Sequence, residues 1–95
     1  MYDDKKCYTI ELIMVNNEVH YISLGFDNDI SEADCFFFIR QWINKQKFIG
    51  VDIGKYINTN AILRYEIGLK TYDVSNSKGT VYLISKEDLM DYNIH

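Results

Sequence analysis

A chain of 95 residues with 47% apolar and 25% charged residues has the size and composition of one globular domain, over residues 1–95, and argues against intrinsic disorder. Its net charge of −4 is the wrong sign for a basic stripe along a nucleic-acid backbone, so direct DNA or RNA binding is disfavoured. The longest unbroken apolar stretch, Cys35-Phe36-Phe37-Phe38-Ile39, is far short of the ~20 residues that span a membrane.

Residues 7–15 (CYTIELIMV) form a predicted strand, rich in β-branched and aromatic residues and apolar on both faces toward its end. Asn16-Asn17 tolerates positive φ and turns the chain into a second strand over 18–24 (EVHYISL). Residues 25–30 (GFDNDI) are expected to be a loop. Ser31 then caps a helix that should run to about Lys47, with Glu32 and Asp34 at the positive end of its dipole. At 100° per residue, Cys35, Phe36, Phe38, Ile39, Trp42 and Ile43 share an arc of about 160°, a core-facing width. Phe37 falls outside that arc, with Ala33, Arg40, Gln41 and Asn44.

A third strand is expected over 48–53 (FIGVDI), with Ile49, Val51 and Ile53 on one side. Tyr56-Ile57-Asn58 is extended, Thr59-Asn60 a kink, and 61–69 (AILRYEIGL) a long strand. In that strand Leu63, Tyr65, Ile67 and Leu69 share a face. Residues 75–79 (SNSKG) read as a turn, 80–85 (TVYLIS) as the last strand, and Ser85 as the cap of a short C-terminal helix reaching about Tyr92. The order ββαβββα predicts an α+β fold: an antiparallel sheet of about five strands with the Phe-rich helix across one face. The other face must be polar, covered by the second helix, or buried against another molecule.

Motifs for chemistry are scarce. Cys7 and Cys35 form no C-x-x-C and have no histidine cluster around them, so a metal site is not expected. Two buried reduced thiols are favoured over a disulfide. His20 and His95 are the only histidines, and His20 on a strand reads as structural. No P-loop, G-x-S-x-G, H-E-x-x-H or G-x-G-x-x-G occurs, so neither a cofactor nor catalysis is expected. Met1-Tyr2-Asp3-Asp4-Lys5-Lys6 lacks the pattern of a signal peptide, which makes the cytoplasm the expected location.

Two features point toward proteins as partners. Asp27, Asp29, Glu32 and Asp34 lie in a short acidic stretch. It is either a solvated loop or an imitation of nucleic-acid phosphates that occupies a basic channel; its spacing fails the calcium-loop pattern. Aromatics make up 15% of the chain, a fraction that strand propensity or a binding surface would each explain. Phe37, on a polar helix face one turn before Arg40, needs a cover: the C-terminal helix with Leu89, Met90 and Tyr92, a second copy of the chain, or another protein.

The segment Lys55-Tyr56-Ile57-Asn58-Thr59-Asn60-Ala61-Ile62 resembles a strand–kink–strand phrase of small proteins from AT-rich Gram-positive bacteria and their phages. In size, acidity and element order the chain also resembles small phage-encoded inhibitors of host defence, including anti-CRISPR proteins. Neither resemblance carries functional residues. The second implies a non-catalytic, stoichiometric inhibitor; the helix pattern and the acidic stretch, not the likeness, offer Phe37, Arg40, Asp27, Asp29, Glu32 and Asp34 as candidate contacts. The alternatives are a homodimeric accessory subunit and, last, a small enzyme.

Overall fold

Asn17 lets the chain reverse for the first time. It stands at φ 71°, the left-handed conformation that closes a short hairpin loop and that asparagine tolerates better than most residues. The Met14 amide donates to the Glu18 carbonyl at 2.8 Å and the Asn17 amide to Met14 at 2.9 Å. The hairpin joins β1 (Lys5–Met14) to β2 (Val19–Asp27), in a computed structural model that describes residues 5–71 and 78–93. The remaining elements are α1 (Glu32–Lys45), β3 (Phe48–Asp52), β4 (Lys55–Asn58), a 3-10 turn (Thr59–Ala61) at the expected kink, β5 (Ile62–Thr71), β6 (Thr80–Leu83) and α2 (Lys86–Met90).

The fold is α+β, and its strands form two sheets rather than the single antiparallel one expected. The larger has the order β5-β1-β2-β6, and β3 and β4 make a separate hairpin. Within the larger sheet β6 runs parallel to β2, on the free edge that the chain reaches after α1, the β3–β4 hairpin and β5. Gly79 sets up that approach. Its φ is 71°, and a Cβ there would stand 1.9 Å from the Tyr21 carbonyl oxygen, so only glycine fits.

Along β1 and β2, Tyr8, Ile10, Leu12, Met14, Ile22, Leu24 and Phe26 are buried on the face that receives α1. The helix contributes Cys35, Phe38, Ile39 and Ile43, the small hairpin Ile49, Val51 and Ile57, and the C-terminal segment Ile84 and Leu89. Tyr82 ties the hairpin to this body: its hydroxyl donates to the Gly50 carbonyl at 2.6 Å, and its ring lies 5.1 Å from that of Trp42.

The opposite face is mixed rather than uniformly polar: Cys7, Ile13 and Leu83 lie on it among polar side chains. Tyr21 donates to Glu11 at 3.2 Å. Ser23 gives its only hydroxyl proton to the Lys78 carbonyl at 2.7 Å, so in its 3.1 Å contact with Thr9 the threonine is the donor.

Several local expectations need correction. β2 continues through Gly25-Phe26-Asp27, because Phe26 fills the core, so Asp27 belongs to a strand. Ile53 leaves the Ile49–Val51 face and is fully exposed, at a turn that needs Gly54 at φ 71°. Leu63 does not share the face of Tyr65. The β1 register shifts between Ile13 and Met14, and this bulge puts Ile62, Tyr65 and Ile67 against the core and Leu63 outside. α1 ends two residues early, with Gln46 as its C-cap. Of the turn read over 75–79, residues 75–77 lie outside the described ones. The face position of Leu69 also lies outside what is described.

Trp42 is half-buried rather than fully buried, because its ring borders an open cleft with Tyr82 and Tyr92. Phe38 is the helix's central anchor: 1% exposed, with Phe26 and Tyr92 edge-on at 5.7 and 4.8 Å. Phe38→Ala is expected to cost about 3–5 kcal/mol and Trp42→Ala about 1–3 kcal/mol, an order that urea melts of the two variants will check. Gly79→Ala should cost about 2 kcal/mol or more, from backbone collision and positive φ together, measured the same way.

Candidate functional site

The N-terminus of α1 gathers most of the residues singled out in the sequence. Ser31 caps it, accepting the Asp34 amide at 3.2 Å. Glu32 and Asp34 then occupy the first turn, where the positive end of the helix dipole favours acids. The next turn carries Phe36 and Phe37, and the one after it Arg40. Helical spacing puts Glu32 beside Phe36, and both Ala33 and Asp34 beside Phe37.

Phe36 and Phe37 are 38% and 39% exposed. Phe36, read as core, sits on the flank of the apolar arc: Tyr8 meets its ring edge-on at 5.2 Å, and solvent takes the other side. Phe37 lies outside the arc as expected, with the Arg40 guanidinium 5.6 Å from its ring centre, within reach of a cation–π attraction. α2 does not supply its cover. Leu89 is buried and Tyr92 stacks on Phe38, which takes the second helix to the other flank of α1.

The four acids separate into two pairs. Asp27 binds Lys5 across the β1–β2 ladder, and Asp29 binds Lys86 at 3.2 Å. Among the described residues no cation pairs with Glu32 or Asp34. A cleft of about 560 Å³ opens between this loop and α2, lined by Asp29, Ile30, Ser31, Asp34, Lys86, Leu89 and Met90.

Cys7 and His20 lie far apart. His20 lies opposite Leu12, whereas Cys7 lies opposite Gly25. The two are therefore five register steps apart, about 17 Å along the ladder, and on opposite faces of the sheet. His20 instead meets Glu18 at 3.1 Å beside the hairpin turn. Both cysteines are buried thiols, not joined in a disulfide. Among the described residues no group of three or more His, Cys, Asp or Glu side chains converges as a metal site would. None of their helices is long and apolar enough to cross a membrane.

Sequence reasoning missed a second aromatic surface. Phe48 and Tyr56, 52% and 69% exposed, lie on the outer side of the β3–β4 hairpin, Tyr56 directly opposite Gly50 and Phe48 two residues before it. The signal was present in the alternation: Ile49 and Val51 point inward, so Phe48 must point out. No protein family, no curated protein and no solved structure matches the chain.

Burial raises the Cys35 thiol from 9.0 to about 11, with Lys6 pulling it down and Asp34 pushing it up. A neutral thiol favoured in the folded state contributes stability that is complete below pH 9 and lost as pH rises toward 11. Between pH 8 and pH 10.5 the urea midpoint should therefore fall more steeply for the wild type than for Cys35→Ala. Thiol reagents at pH 8 should label Cys35 only after unfolding.

Proposed function

We propose that this chain is a non-catalytic protein-binding module that acts as a stoichiometric inhibitor of a host defence or nucleic-acid enzyme. The observation that carries the reading is the Phe36–Phe37–Arg40 surface on α1, which the second helix leaves open. Exposed aromatic rings bury a large area with few rotatable bonds, and arginine is among the residues enriched at binding hot spots.

The charge around that surface suggests the partner's chemistry. Glu32 and Asp34 continue the aromatic patch toward the helix N-terminus and pair with no cation among the described residues. A complementary site offers an apolar pocket for Phe37 flanked by basic side chains, and enzymes that handle nucleic acid are lined with such side chains. Asp27 and Asp29 contribute less outward charge, because each is already partnered. The likeness to phage-encoded inhibitors adds the stoichiometric mode of action, and the separation of His20 from Cys7 is in keeping with it.

Affinity capture from host lysate with the tagged chain, followed by titration against the enzyme recovered, tests this reading. Inhibition should saturate at one chain per enzyme. Phe37→Ser should weaken binding by about 2 kcal/mol or more while leaving the melting temperature within a few degrees of wild type. Glu32→Gln with Asp34→Asn should flatten the salt dependence of binding. A Phe37→Ser chain that binds and inhibits like wild type rules the helix surface out.

A further inference from the structure

β5 is a ten-residue edge strand, and the register of the sheet determines which of its backbone groups point outward. The Ile84 amide donates to the Gly25 carbonyl and the Met14 amide to the Glu18 carbonyl, each at 2.8 Å. Gly25 therefore faces β6 and Met14 faces β2. Backbone groups alternate sides from one residue to the next, so Glu11 and Ile13 face β5, and their partners Glu66 and Arg64 face β1. Tyr65 and Ile67 hold their N–H and C=O groups toward the open edge, where no described strand pairs with them.

The side chains along this edge are complementary to themselves. Arg64 and Glu66, both about two-thirds exposed, stand two residues apart on the solvent face with opposite charges. In an antiparallel pairing of two identical strands about a two-fold axis at Tyr65, Arg64 of each copy lies opposite Glu66 of the other. Tyr65 then faces its own copy in a hydrogen-bonded pair. The two Arg–Glu pairs fall at non-hydrogen-bonded positions, where side chains approach most closely. An axis one residue away in either direction sets Arg64 against Arg64 or Glu66 against Glu66, like charges that oppose pairing.

We infer that two copies of this chain associate edge to edge through β5, antiparallel, with the two-fold axis at Tyr65. The association joins two four-stranded sheets into one of eight. It uses a surface separate from the Phe37 face of α1 and stands whether or not that face binds a partner.

Sedimentation over a range of protein concentrations tests it, with circular dichroism to establish that every variant is folded. The wild type should dimerise. Arg64→Glu alone and Glu66→Arg alone should each raise the dimer dissociation constant by about tenfold or more, since two attractive pairs become repulsive. Mixing these two variants should restore a dimer, because the all-acidic edge of one meets the all-basic edge of the other. The double swap, Arg64→Glu with Glu66→Arg, should also dimerise, and Phe37→Ser should have no effect. A wild type that stays monomeric throughout overturns the inference. So does a dimer indifferent to both single charge changes, or one lost with Phe37→Ser alone.

Discussion

The arrangement rests on the double burial of β1. One side of this strand sends Tyr8, Ile10, Leu12 and Met14 under α1; on the other, Cys7 is sealed from solvent and Ile13 nearly so. A strand so covered has to be central, and it is flanked by β2 and β5. Burying those side chains provides most of the driving force for the helix to dock. α1 then lies with its Cys35–Phe38–Ile39–Ile43 stripe downward, which turns Phe37 and Arg40 away from the sheet. The exposed aromatic face is thus a geometric result of where the core is.

The second helix bears on the same point from the opposite flank. Its start is fixed by a reciprocal box in which Ser85 accepts the Asp88 amide while the Asp88 carboxylate accepts the Ser85 amide. It thereby delivers Leu89 and Tyr92 to Phe38, and Lys45 rests 4.6 Å from the Tyr92 ring centre. So small a helix has contact area for one side of α1 and uses it where Phe38 needs burial. The outer side is left to whatever the molecule meets.

Elements set by local chemistry were legible from the sequence. Asn17 marked the hairpin, Ser31 and Ser85 marked both helix starts, and the 3.6-residue spacing separated Phe37 from Phe38. What could not be read depended on distant parts of the chain. Nothing near Thr80-Val81-Tyr82-Leu83 indicates that its partner is Ile22-Ser23-Leu24-Gly25 in the parallel sense, because the pairing joins segments more than 50 residues apart. The Leu63 bulge escaped strict alternation for a similar reason, as it answers a register shift against β1. The acids at 27 and 29 looked like free charge because their partners, Lys5 and Lys86, come from other elements. The outward turn of Phe48 was readable but was overlooked among the core residues beside it.

The parallel pairing of β6 with β2 has a consequence for how the chain is made. Ser23 is synthesised 55 residues before Lys78, whose carbonyl takes its hydroxyl proton. Until then the growing chain can pair β1 with β2, dock α1 and add β5, but one border of β2 stays unsatisfied. Contacts this distant in sequence form slowly, and an unpaired strand is a template for wrong partners. Vectorial folding therefore leaves its most aggregation-prone intermediate at the β2 border. The polar run Thr9, Tyr21 and Ser23 beside that border suits a nascent chain that must remain soluble while it waits.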